Sequence, residues 1–163
     1  MFTKSSHSIT MSDIDFLEHS IEQGLPNDFI SHYLKNNGGV PNKTYFYVEK
    51  DDGYVEVSFF LPIRFDTTEL SNMTIERSYS NLTSKGIPKN YLPFALDWGG
   101  NYFSIDLETN NIVLLLMDLG PFTDDAVKYL TRGFSNFIDN LEEGEEEEEG
   151  EEGEEEEEGR GRR

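Results

Sequence analysis

One apolar run constrains the fold more than any other feature of this sequence. Residues 112–117 read Ile-Val-Leu-Leu-Leu-Met, so an extended segment here is apolar on both of its faces. A strand of this kind lies in the middle of a sheet, with both faces at least partly covered. The run is far too short to cross a bilayer as a helix. The sequence therefore predicts a buried sheet with other elements packed around it.

Other segments show the two-residue period of strands. Residues 102–107 alternate apolar and polar side chains, and the turn residues 108–111 join them to the apolar run. Residues 44–48 and 54–61 alternate in the same way on either side of Asp51-Asp52-Gly53. A turn of this composition between two alternating segments predicts a β-hairpin.

Four segments instead repeat apolar residues every three or four positions, the period of an amphipathic helix. The predicted helices cover residues 12–23 with Ser12 as the cap, a segment from Pro26 to the stop at Asn37-Gly38-Gly39, residues 72–85 before Gly86, and residues 126–141. The last helix has the most regular stripe, made by Ala126, Val127, Leu130, Phe134, Phe137, Ile138 and Leu141. We expect it to cover one face of the sheet.

The glutamate-rich end of the chain sets the domain boundaries. Residues 142–163 hold fourteen glutamates and three arginines, which cannot bury apolar surface and are expected to be disordered. The 163 residues, 36% of them hydrophobic, suffice for one domain. We therefore predict a flexible N-terminus at 1–11, a domain at 12–141 and a disordered tail at 142–163.

Charge and composition exclude several classes of function. Without the tail, residues 1–141 keep 19 acidic and 10 basic residues, a net charge of about −9. This charge repels phosphate backbones and anionic lipid and attracts basic proteins, so we expect no direct nucleic-acid or membrane binding. There is no cysteine, hence no disulfide and no thiolate nucleophile. The N-terminus lacks an apolar run of signal-peptide length, so we expect a soluble, cytoplasmic protein.

Catalytic and metal-binding patterns are missing. His7, His19 and His32 have no recognisable ligand spacing, and no phosphate-binding loop or nucleophile elbow occurs. Asp97 and Asp106 allow two interpretations: a carboxylate pair for acid–base or metal chemistry, or structural roles in which Asp97 caps turn amides. We favour the structural one and predict no enzyme, cofactor or metal. Trp98 is interpreted as a core anchor or as a platform that stacks on a partner.

The second face of the hairpin is unusually aromatic. It carries Tyr45, Tyr47, Tyr54 and Phe60 together with Glu56, and Glu49, Asp51 and Asp52 surround it. These aromatic side chains lie either beneath a helix or on an exposed partner surface. In the second case, acidic groups around aromatic rings would be complementary to a basic protein.

The order of these features along the chain resembles the SUKH superfamily, named after fungal regulators of cell-wall synthesis and killer-toxin resistance. The resemblance covers about Ser12 to Leu141. Its motifs are the Leu25-Pro26 helix ending at Asn37-Gly38-Gly39, the hairpin, Tyr91-Leu92-Pro93-Phe94-Ala95, Asp97-Trp98-Gly99-Gly100-Asn101, Ile105-Asp106, Val113, Asp118 and Phe134-Ser135-Asn136-Phe137-Ile138. The chain departs from the pattern at Thr131-Arg132-Gly133 and in its glutamate tail.

The resemblance implies an α+β domain: a mostly antiparallel sheet of about five to six strands with N-terminal, central and C-terminal helices packed around it. It also implies a bacterial immunity protein that binds and neutralises a cognate toxin domain by stoichiometric occlusion, with a basic nuclease as one kind of toxin. The alternative is an intracellular regulatory scaffold of the fungal type that binds a signalling protein. The oligomeric state is not indicated. Candidate toxin contacts are Tyr45, Tyr47, Asp51, Asp52, Tyr54, Glu56, Asp97, Trp98 and Asp106.

Overall fold

The computed structural model describes residues 1–67 and 73–144. In this part of the chain the helices are α1 (Met11–Ile21), α2 (Asn27–Lys35), α3 (Ile75–Ser84) and α4 (Phe134–Asp139). The strands are β1 (Phe2–Thr3), β2 (Val40–Pro41), β3 (Tyr45–Val48), β4 (Gly53–Glu56), β5 (Phe59–Phe60), β6 (Tyr91–Leu96), β7 (Tyr102–Asp106), β8 (Asn111–Leu115) and β9 (Val127–Arg132). They form the antiparallel sheets β1-β2, β3-β4 and β5-β6-β7-β8-β9. The predicted α+β class is confirmed.

The apolar run forms an interior strand, as predicted. β8 lies between β7 and β9, and its four apolar residues are all buried. Ile112 and Leu114 belong to the main hydrophobic core, whereas Val113 and Leu115 pack in a second cluster with Leu82 of α3. Because successive side chains of a strand point to opposite faces, the two clusters lie on opposite sides of the sheet.

Aromatic rings fill the main core where α2 and α4 pack on the sheet. Phe134 of α4 contacts Phe29 of α2 and Phe94 of β6, with ring centroids 4.9 and 5.1 Å apart. Tyr33 is fully buried beside Phe29, and its hydroxyl donates a hydrogen bond of 2.8 Å to the Leu61 carbonyl. Burial of a polar atom with its partner avoids the penalty of an unsatisfied hydroxyl.

The predicted C-terminal helix over residues 126–141 is wrong in its first half. Residues 127–132 form β9, and α4 begins only after Gly133, whose φ of 94° ends the strand. A bulge leaves Leu130 without a register partner on β8. Leu130 packs in the main core and Val127 packs in the second cluster, because residues three apart on a strand point to opposite faces. Their three-residue spacing therefore puts these side chains on opposite faces of a strand, and not on one face of a helix.

The predicted hairpin is confirmed as β3 and β4, but its second strand is shorter than expected. After Glu56 the chain leaves the hairpin, and Phe59 and Phe60 pair with β6 in the five-stranded sheet. Phe60 is fully buried in the main core. Its assignment to the outer face of the hairpin was wrong, because the strand changes sheets at Val57 and Ser58.

The structure extends the domain at both ends. In the segment predicted to be a flexible N-terminus, β1 pairs with β2, and Phe2 packs on Phe60 at 5.1 Å. At the other end, Glu142 forms an isolated antiparallel bridge with Tyr45. The rest of the predicted tail, residues 145–163, lies outside the described residues.

Candidate partner-binding surface

The outer side of the β3-β4 hairpin gathers three tyrosines. Tyr45 pairs with Glu56 and Tyr47 pairs with Tyr54, so these four side chains share one side of the ribbon. Phe46 points the other way and packs on Phe137 of α4 at 5.0 Å. We call the surface formed by Tyr45, Tyr47, Asp52, Tyr54, Glu56 and Glu142 the hairpin face.

The hairpin face is solvent-exposed. Tyr54 is 55% exposed and Tyr47 is 38% exposed. Of the two positions expected for these aromatic side chains, beneath a helix or on an exposed surface, the structure shows the exposed one, since no helix among the described residues covers them. The Tyr54 ring packs edge-on against Tyr47 at 5.3 Å and Tyr45 at 6.2 Å. Edge-to-face packing favours this arrangement of the rings.

Carboxylates border these rings at the turn. Asp52 adopts a left-handed conformation with φ of 50°, and its carboxylate accepts a 2.5 Å hydrogen bond from the Tyr47 hydroxyl. This hydrogen bond, with a smaller contribution from Glu49, raises the pKa of Tyr47. Asp51 instead forms a 2.6 Å ion pair with Lys128 of β9. Asp51 therefore faces a lysine, whereas Asp52 accepts from the Tyr47 hydroxyl beside the exposed ring.

Glu142 is a member of this surface that the sequence did not indicate. Its amide donates to the Tyr45 carbonyl at 2.7 Å and its carbonyl accepts from the Tyr45 amide at 3.0 Å. Its carboxylate accepts a 3.1 Å hydrogen bond from the Tyr54 hydroxyl. Two residues later, a Cβ atom on Gly144 would lie 2.2 Å from the Tyr45 ring, so a larger residue there would require the ring to shift. The start of the glutamate-rich segment is thus bound against the hairpin face.

The turn between β6 and β7 holds Trp98 outside the core. Asp97 accepts hydrogen bonds from the Gly99 amide at 2.8 Å, the Asn101 amide at 2.8 Å and the Asn101 side chain at 2.9 Å. The predicted turn-capping role of Asp97 is confirmed. Trp98 is 75% exposed, so its interpretation as a core anchor is wrong. The Ser58 hydroxyl donates a 3.3 Å hydrogen bond to the Asp97 carbonyl. Because Ser58 follows Glu56 by two residues, this contact places the turn beside the base of the hairpin.

Asp106 lies at the other end of β7. It pairs with Tyr91, and its carboxylate accepts from the Asn90 side chain and the Glu108 amide, both at 3.0 Å. Four residues of β7 separate it from the Trp98 turn, about 13 Å along the strand. Asp97 and Asp106 are therefore not a carboxylate pair, and among the described residues no group of three or more His, Asp or Glu could hold a metal.

His32 is the most buried of the three histidines. Its ring contacts Phe2 at 4.9 Å, Phe134 at 5.3 Å and Tyr33 at 5.5 Å, and its Nε2 atom is buried without a hydrogen-bond partner. Burial, with smaller contributions from the positive charges of Lys35 and the N-terminal amine, lowers the pKa of His32 to about 4. A neutral ring that packs against aromatic side chains serves as a packing residue.

The described fold and surface define an α+β domain with an exposed face of aromatic and acidic side chains. The family model of the SMI1 / KNR4 family (SUKH-1) matches residues 8–143, and the chain belongs to that family. A search of the curated proteins finds no significant match to this chain. Members of the family are generally non-enzymatic immunity or regulatory proteins, and SUKH domains generally bind protein partners such as toxins. No helix in residues 1–67 or 73–144 is long and apolar enough to span a membrane.

Proposed function

We propose that this chain is an immunity protein that acts in the cytoplasm, where it binds a cognate toxin domain and occludes it stoichiometrically. The observation that carries the proposal is the exposed pair Tyr47 and Tyr54 on the hairpin face. Tyrosine is enriched among the residues that dominate binding energy, because one rigid side chain offers both apolar area and a hydroxyl.

Charge supports a basic toxin, such as a nuclease. Glu56, Asp52 and Glu142 lie on the hairpin face, and residues 1–141 carry a net charge of about −9. Lys50 in the turn and Lys128 reduce the local charge without reversing it. An acidic field raises the rate of encounter with a basic partner, and this gain falls as salt is added. Neutralisation then requires only that the toxin's substrate is kept out, with no chemistry by this domain.

Trp98 extends the proposed contact. Its turn is rigidly bonded through Asp97 and lies next to the base of the hairpin through Ser58. Because these hydrogen bonds already hold the backbone of the turn, binding through Trp98 would not have to order the loop. Asp106, predicted as a contact, lies at the far end of β7 and has structural partners there, so the proposal leaves it out.

Binding of the full-length chain to the C-terminal domain encoded by the adjacent upstream gene tests this proposal. Calorimetry should give one-to-one stoichiometry, and the double variant Tyr47→Ala/Tyr54→Ala should weaken affinity by about tenfold or more. Tyr129 is the matched control, because it is 51% exposed but lies on β9, and Tyr129→Ala should leave the affinity unchanged.

Two outcomes would count against the proposal. Absence of binding at both low and moderate salt would favour the regulatory scaffold as the function. Binding that is equally sensitive to the Tyr129 and the Tyr47/Tyr54 variants would mean that the hairpin face is not the contact surface.

A further inference from the structure

The hairpin face has the chemistry to hold a segment that contains arginine. Planar guanidinium groups stack on tyrosine rings and form paired hydrogen bonds with carboxylates. The face presents both groups together: the ring of Tyr54 is 55% exposed, and Asp52 and Glu56 lie on the same side of the ribbon. The chain itself contains such a segment, Gly159-Arg160-Gly161-Arg162-Arg163.

We propose that Arg160, Arg162 and Arg163 bind the hairpin face of their own chain. The inference uses the surface described above and not the toxin, so it stands or fails independently of the proposed function.

The path of the chain makes this contact possible. Glu142 is paired with Tyr45, and Gly144 lies against the Tyr45 ring, so residues 145–163 start at the edge of the hairpin face. Arg160 follows Gly144 by sixteen residues, whose contour length is at most about 55 Å. Tyr45 and Tyr47 are only about 7 Å apart along β3. A tether of this length gives an effective concentration near millimolar.

Twelve glutamates in residues 145–158 compete for the same arginines. They supply negative charge, which would attract lysine as well as arginine. The hairpin face differs because it adds aromatic rings, on which arginine stacks better than lysine does. A preference for arginine over lysine that is read at the Tyr47 and Tyr54 resonances therefore distinguishes binding at the face from charge pairing within the tail.

This contact would make the segment an intramolecular competitor of any basic partner. A partner that binds Tyr47 and Tyr54 must first displace the arginines, which lowers its apparent affinity by the fraction of chains in which the face is occupied. Weakly basic proteins would then bind poorly, whereas a partner with strong aromatic contacts would still bind.

The absence of cysteine allows a clean test on the full-length chain. A nitroxide label at Gly161→Cys should broaden the amide resonances of Tyr47 and Tyr54 more than that of Tyr129, which is exposed on β9. Replacing all three arginines by lysine should reduce the excess broadening of Tyr47 and Tyr54 over Tyr129 by at least about half, and glutamine should reduce it to what the tether at Gly144 alone produces. Salt at about 1 M should weaken it, because the Debye length is then near 3 Å.

Equal broadening at Tyr47, Tyr54 and Tyr129, or no change in the lysine variant, would overturn the proposal. Broadening that grows with protein concentration would assign the arginines to a second copy and overturn the intramolecular form. As an independent check, the peptide Gly-Arg-Gly-Arg-Arg added to the full-length glutamine variant should shift the Tyr47 and Tyr54 resonances more than Gly-Lys-Gly-Lys-Lys does. No shift at millimolar peptide would contradict the assignment.

Discussion

Replacement of His32 by phenylalanine should make the protein less sensitive to acid. The imidazole lies among Phe2, Tyr33, Phe60 and Phe134, and its buried Nε2 has no partner to stabilise a proton. Protonation would place a charge in this apolar site, so the folded state favours the neutral ring.

The size of the effect follows from the difference in pKa between the two states. The unfolded chain binds the proton near the ordinary value of 6.5, whereas the folded chain binds it at about 4. Between these two pKa values the unfolded state binds more protons, so the free energy of unfolding falls as the pH is lowered. Below about pH 4 both states are protonated at His32, and this residue causes no further loss. The linkage relation gives a loss of about 2 kcal/mol between pH 7 and pH 5.

Urea unfolding of the wild type and His32→Phe at pH 7 and pH 5 measures this difference. Titrating carboxylates contribute to both proteins, so the change in slope between them isolates His32. His19 is exposed on α1, and His19→Gln serves as the control that should keep the wild-type pH dependence. Comparison of slopes also removes any constant effect of the larger phenylalanine ring on packing.

Identical pH dependence in the wild type and His32→Phe would refute this reasoning. It would mean that the His32 ring takes up its proton in the folded state as readily as in the unfolded chain. An NMR titration of the His32 ring protons would then show a midpoint near 6.5 in place of one near 4.

Two further substitutions test hydrogen bonds that hold loops in place. Asn37 is 2% exposed; its side chain accepts from the Ile63 amide at 2.7 Å and donates to the carbonyls of Ile63 and His7 at 3.0 and 2.9 Å. Asn37→Ala should lower the free energy of unfolding by about 3 kcal/mol in urea denaturation, and a loss below about 1 kcal/mol would contradict this role. Asp97→Ala removes three hydrogen bonds from its turn and should cost about 1–2 kcal/mol. Because Trp98 is the only tryptophan, the decay of its fluorescence anisotropy should also become faster; an unchanged decay would show that Asp97 does not hold the turn.

The sequence predicted best those elements in which each face has the same surroundings along its whole length. β8 is apolar on both faces because helices or loops cover both faces, and the pattern shows this directly. The hairpin alternates cleanly because one side packs on α4 and the other side meets water. In these cases the local order of apolar and polar residues directly indicates which side chains are buried in the folded chain.

The errors arose in segments whose side chains pack on two different surfaces or whose strand changes sheets. Val127 and Leu130 pack in two different clusters on opposite sides of the sheet, but their three-residue spacing is also the spacing of one helix face. Phe60 continues the alternation of the hairpin although the chain has already changed sheets. Pairing with a distant strand decides both cases, and a local pattern carries no information about that strand.

The candidate surface was only partly predictable for a related reason. The sequence identified Tyr47 and Tyr54 as a pair on one side of the ribbon, but exposure depends on whether another element covers them. Glu142 was missed because its role comes from a bridge to Tyr45, almost a hundred residues away in the chain. Trp98 was expected in the core because tryptophan is usually buried. It is exposed because it lies in the turn between β6 and β7, beyond the ends of these strands.

The separation of the hairpin from the five-stranded sheet bears on how this domain can evolve. Phe46 and Val48 attach the ribbon to the core, while Tyr47, Tyr54 and Glu56 point away from it. Surface substitutions that leave core contacts intact usually change stability by less than about 0.5 kcal/mol. The outward positions can therefore accept new side chains, and with them new binding preferences, while the scaffold beneath keeps its stability.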